Sequence, residues 1–108
     1  MEALEAALTD RVVCLPPVVL TELLSDPKTP DKVAGFLRRF PVLATTDGYW
    51  ERAGELRRRV IASRRKARLA DTLIVQSCLD HETPLIARGR DFRNFARVAP
   101  LKLVGQKD

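Results

Sequence analysis

A chain of 108 residues is the size of a single domain that can bury a core of its own. Hydrophobic residues make up 45% of it and charged residues 31%, an ordinary balance for a soluble globular protein. No apolar run reaches the roughly 18 residues of a membrane-spanning helix. The opening MEALEAALTDR carries two glutamates and no basic leader, which argues for a cytoplasmic protein without a secretory signal. The formal net charge is +5.

In chain order, EALEAAL (2–8) places Ala3, Leu4, Ala7 and Leu8 on one helical face. VVCL (12–15) is short and β-branched, and Pro16 bounds it, so it reads as a buried strand. Pro17 opens a helix over 17–25, because the first helical amide has no partner to lose, and DPKTP (26–30) breaks it. A helix within PDKVAGFLRRF ends before Pro41, and PVLAT supplies a second strand near 42–45. Asp47 is the expected N-cap of a long basic helix over 47–64. A helix over 69–81, a strand PLIA (84–87), a short helix DFRNFA and a strand LKLV (101–104) complete the chain. Strands alternating with helices imply an α/β sandwich around a mainly parallel sheet, in which chemistry collects near the carboxyl ends of the strands.

The positive charge is local. RRRVIASRRKAR (57–68) holds Arg57, Arg58, Arg59, Arg64, Arg65, Lys66 and Arg68. Such a density suits a polyanion, whose counterions are released when phosphates are neutralised. It also suits a solvated helix end, where cations meet the negative pole of the helix. Composition does not choose between the two.

Three acids stand in apolar company. Glu22 lies in PPVVLTELLS, Asp71 opens the apolar run LADTLIVQSCLD, and Asp91 follows strand PLIA in ARGRDF. A charged carboxylate left unpaired near an apolar face costs several kcal/mol, so each needs a partner, a solvent exit or a cation. Glu22 can face solvent, Asp71 can cap helix amides, and Asp91 can cap the DFRNFA helix. Gathered together, the three would make an oxygen-rich site for Mg²⁺ or Mn²⁺. His81 is the only histidine and sits at a helix end, which leaves Ser-His-Asp and Cys-His chemistry little to recruit. Cys14 and Cys78 lie singly in apolar runs and read as buried thiols in a reducing compartment. Tyr49 and Trp50 read as packing residues that seat a helix on the sheet.

VVCLPPVVLTELLSDP around Glu22, ARLADTLIVQSCLDHETPLIARGRDF around Asp71 and Asp91, and the closing PLKLV occur in an order that resembles the PIN-domain family, close to the VapC-type toxin ribonucleases. The resemblance implies a three-layer α/β sandwich with a four-stranded, mainly parallel sheet, formed by one domain over 1–108. It implies an endonuclease that hydrolyses single-stranded RNA with carboxylate-bound Mg²⁺ (or Mn²⁺). Glu22 and Asp71 match the family's metal-site carboxylates, and Asp91 is the nearest match to a third acid. Ala87 and Gly89 stand where the family often has a Thr-x-Asp pattern. An N-terminal central strand ending in an Asp-x-Ser/Thr segment is expected to be missing, which leaves a degenerate scaffold that binds RNA or an antitoxin without cleavage as the alternative. Arg64, Arg65, Lys66 and Arg68 are the expected contacts to the RNA backbone, and Arg88 and Arg90 to the scissile phosphate. RNA and a cognate antitoxin are the expected partners. A homodimer is the assembly the resemblance implies; an unfilled sheet centre exposes strand edges, which are covered either by a second copy or by VVCL and PLIA closing together.

Overall fold

The computed structural model describes residues 14–87 and 89–105. The helix expected over 2–8, the first half of the VVCL strand and Arg88 lie outside the described residues. The chain divides into two compact units, residues 1–44 and 45–108.

In the first unit, buried Leu15 forms an isolated parallel bridge with Val42. The Leu15 amide donates to the Pro41 carbonyl at 2.9 Å, and the Leu43 amide donates to the Leu15 carbonyl at 2.8 Å. The next rung would need an amide hydrogen on residue 17, and Pro17 has none. Among the described residues, the two strands expected here therefore meet in a single bridge. The proline that stops the ladder also starts helix α1, Pro17–Ser25, with Pro16 at its N-cap. Asp26 then closes a turn, its carboxylate accepting from the Lys28 amide at 2.9 Å. Helix α2, Asp31–Leu37, begins with Asp31 in its first turn, where the helix dipole favours an anion. Cys14 is exposed rather than buried.

The second unit is organised by two helices. Helix α3, Tyr49–Ala62, buries Tyr49, Ala53, Leu56 and Val60, one face of a helical period. Its N-cap is Gly48, not Asp47 as expected. Gly48 has φ 80°, which favours glycine, and a Cβ there would lie 2.7 Å from Nη1 of Arg52, so the guanidinium would have to shift. Asp47 contributes its carbonyl instead, accepting from Arg52 Nη1 at 2.7 Å. Trp50 corrects another expectation. It is one helical step from buried Tyr49, about 100° around the axis, and is 63% exposed.

Helix α4, Leu69–Asp80, is buried on most sides, with Thr72, Ile74, Val75, Gln76, Ser77 and Cys78 inside. Strand β1, Leu85–Ile86, pairs in parallel with β2, Leu103–Val104, with Leu85 opposite Leu103. Among the described residues the sheet of this unit therefore has two strands, each shorter than predicted, and the expected four-stranded sheet is not confirmed. Between them lies helix α5, Phe92–Ala96, which packs on α3, α4 and β2. Phe95, Leu56, Val60 and Val75 are fully buried and form the core of the unit.

Helices α3 and α4 end the same way. The amide of Arg64 donates to the Ile61 carbonyl and that of Arg65 to the Val60 carbonyl; the amide of Glu82 donates to the Leu79 carbonyl and that of Thr83 to the Cys78 carbonyl. This pair of bonds is the Schellman motif, whose left-handed position is usually glycine. Here it holds Arg64 at φ 62° and Glu82 at φ 51°. A side chain in that conformation costs about 1 kcal/mol or more.

Phe95 joins the short helix α5 to the core. Replacing it with alanine is expected to destabilise the protein by about 3–5 kcal/mol, the range for emptying a buried aromatic site, read as a lower urea midpoint at unchanged slope.

Candidate functional site

The predicted acids fall in both units. Glu22 is exposed on α1 of the first unit. Asp71 lies in the first turn of α4, half-buried, where the dipole favours its charge. The residue that caps α4 is Arg68, and no side chain makes the cap hydrogen bond. Asp91 is at the N-cap of α5, also half-buried and also without a side-chain cap bond. Asp71 and Asp91 thus sit at the starts of two helices that pack together. Within each unit, no three histidine, cysteine, aspartate or glutamate side chains among the described residues gather closely enough to hold a metal ion.

The basic segment is split by the end of α3. Arg57 turns back, its Nε donating to the Ala67 carbonyl at 2.9 Å, and Arg59 Nη1 donates to the Val98 carbonyl at 3.3 Å. Asn94 of α5 donates from Nδ2 to the Lys66 carbonyl at 2.9 Å. Thr72 donates from both its amide and its hydroxyl to the Arg68 carbonyl, at 2.9 and 2.8 Å. The backbone of 64–68 is therefore held at both ends, while Arg64, Arg65, Lys66 and Arg68 all remain exposed. Arg90 is exposed as well.

The opposite end of α4 carries an arrangement that sequence reasoning missed. Asp80 lies in the last turn, where the helix dipole opposes a negative charge. Arg52 answers it with two bonds, Nε to Oδ1 at 3.0 Å and Nη2 to Oδ2 at 2.7 Å. Gln76 donates to Oδ1 at 2.8 Å and Thr46 to Oδ2 at 3.2 Å. The Arg52 hydrogen bonds hold the Asp80 carboxyl below the usual carboxylate range; desolvation opposes the shift, and Gln76 and Thr46 add to it. Two signals were present in the sequence. Gln76 and Asp80 have the i, i+4 spacing of facing helical residues, and an acid at a helix C-terminus calls for a cation. Next to this clamp is a cleft of about 470 Å³ that includes Glu55, Arg59, Cys78, Glu82 and Lys102 in its lining.

Neither Cys78 nor Tyr49 is poised for chemistry. Burial pushes the Cys78 thiol up, which disfavours the nucleophilic thiolate. Burial also raises Tyr49, whose hydroxyl is committed to the Leu73 carbonyl at 2.6 Å.

Comparison with known families decides what the fold belongs to. The PIN domain model matches residues 1–98. This chain belongs to the PIN-domain family. The matched span contains Glu22, Asp71, Asp91 and the whole basic segment, and it ends before β2. No curated protein matches the chain. PIN domains have an α/β fold and are in general metal-dependent nucleases. Among the described residues of this PIN domain, no helix is long and apolar enough to cross a membrane.

The Asp80 clamp gives the PIN domain an acid-labile contact. A carboxylate whose folded pKa lies below its unfolded value, about 3.9, contributes stability that is complete above that value and is lost as pH falls through the folded pKa. Asp80→Asn is expected to flatten the acid limb of a plot of stability against pH below about 4, measured by urea unfolding at successive pH values.

Proposed function

We propose that this PIN domain is a VapC-like endonuclease that hydrolyses single-stranded RNA with Mg²⁺ or Mn²⁺, acting as one domain over 1–108. The observation that carries the reading is the pairing, in one unit of a PIN-family chain, of Asp71 and Asp91 at the starts of packed helices with a basic turn of held backbone and exposed side chains. Carboxylate oxygens suit a hard divalent cation. Glu22, Asp71 and Asp91 are the carboxylates this reading assigns to it. A bound ion would supply Lewis-acid stabilisation of phosphate charge and an activated water.

Arg64, Arg65, Lys66 and Arg68 would neutralise successive phosphates, and Arg90 would meet the strand near Asp91. Arg88 is assigned to the scissile phosphate on the family resemblance alone. The same reading carries a cognate antitoxin as partner and a homodimer as assembly. A monomer by light scattering at high micromolar concentration would count against the dimer.

Cleavage of a labelled single-stranded RNA is expected in Mn²⁺ and not in EDTA. Asp71→Asn is expected to fall to the EDTA background while keeping its far-ultraviolet circular dichroism. Unchanged cleavage by that variant removes Asp71 from the mechanism. RNA binding without metal-dependent cleavage by the unaltered chain selects a non-catalytic scaffold.

A further inference from the structure

The turn that follows α3 is built at a cost that the fold does not require. Its left-handed position would be unstrained with glycine, and the two Schellman hydrogen bonds use only backbone atoms. Arg64 occupies it nonetheless, at φ 62°. Its side chain is exposed, so no buried contact offsets the strain. Exposed Glu82 carries the same strain at the end of α4, so strain alone assigns no role, and what sets Arg64 apart is the company it keeps.

The surroundings say what that is. The next residues, Arg65, Lys66 and Arg68, are exposed cations on the same short segment. Successive carbonyls of that segment are fixed from three directions, by Arg57 on α3, Asn94 on α5 and Thr72 on α4. Of the arginines in the run, Arg57 and Arg59 donate to backbone carbonyls within the unit, while those of the turn face solvent. A row of cations on a backbone that does not have to be ordered on binding suits a linear polyanion, because the ordering cost is already met in the free protein.

We infer that residues 64–68 form a preorganised, metal-independent cradle for consecutive phosphates of single-stranded RNA, in which Arg64 makes a phosphate contact and Asn94 acts as a positioning residue through the Lys66 carbonyl. The inference rests on the RNA reading above but not on cleavage. Binding in EDTA therefore tests it separately from the nuclease.

The second Schellman turn supplies a matched control, since Glu82 carries the same backbone strain at the other end of α4. Affinity of the full chain for a fluorescein-labelled oligouridylate is measured in EDTA across a salt series, with thermal melting of each variant. Arg64→Gly is expected to melt a few degrees higher yet to bind several-fold more weakly. Its plot of log affinity against log salt should be shallower by about 0.7, the loss of one phosphate contact on a single strand. Glu82→Gly is expected to melt higher with affinity and slope unchanged. Arg64→Lys should keep the slope, and Asn94→Ala should weaken binding at unchanged slope. Wild-type affinity or slope in Arg64→Gly overturns the contact, and wild-type affinity in Asn94→Ala overturns the positioning role. Equal weakening in Glu82→Gly overturns the assignment to this turn. Competition by polyglutamate as strong as by RNA assigns the turn to an acidic protein instead and overturns the proposal.

Discussion

The packing of α3 against α4 is the constraint on which the second unit depends. Leu56 and Val60 present one face of α3, Val75 comes from α4, and Phe95 of α5 joins them; all four are fully shielded from water. Each such side chain contributes roughly 1.5–3 kcal/mol by leaving water. The burial itself is non-directional, so polar contacts at the two ends fix how the helices meet. Tyr49 reaches the Leu73 carbonyl, Arg52 grips Asp80, and Arg57 reaches the carbonyl of Ala67 just before α4 begins. Every one of these donors is on α3, and every acceptor is on α4 or the turn leading into it. The connecting turn is consequently a fixed part of the helix pair rather than a loose loop.

The sequence made the helices legible and left the ladders short of expectation, for a physical reason. Helix α1 spans Pro17–Ser25 as read, because a proline that suits the first turn and a DPKTP breaker are both local signals. Helix α4 likewise ends within a residue of its expected limit. A strand, by contrast, extends only as far as its partner supplies rungs. VVCL and PVLAT have the right composition, yet Pro17 withholds the amide that would extend their pairing beyond Leu15 and Val42. The N-terminus of α3 failed differently. Asp47 is a good cap by type, but the left-handed turn at Gly48 and the guanidinium above it place the acid outside the helix.

The site residues divide along the same line. Placing Asp71 in the first turn of an apolar helix needed only the sequence, since the periodicity that marks the helix also marks its start. The division of labour among the arginines did not follow from composition, because it depends on the turn after Ala62 bringing Ala67 back beside Arg57. Asp80 carried local signals, but they could not name its partner, because Arg52 lies 28 residues earlier in the chain. Nor could composition tell Tyr49 from Trp50. Both are large aromatics, and only the phase of α3 turns one into the core and the other into water.

Helix α4 has two ends with opposite electrostatic tasks. Its N-terminus carries a partial positive charge that favours Asp71 and, beside the turn of 64–68, any phosphate brought there. Its C-terminus carries a partial negative charge, which makes Asp80 tolerable only with Arg52 against it. Nine residues of helical rise separate the two acids, about 13 Å. That exceeds the Debye length of about 8 Å at physiological ionic strength. A change at the Asp80 clamp is therefore screened from a phosphate at the other end and acts on the stability of the helix pair. A change at Arg64 acts in the opposite sense, relieving backbone strain while removing a charge from the end where an anion is favoured. The clamp belongs to holding α3 on α4, and the strained turn belongs to what that pair presents to solvent.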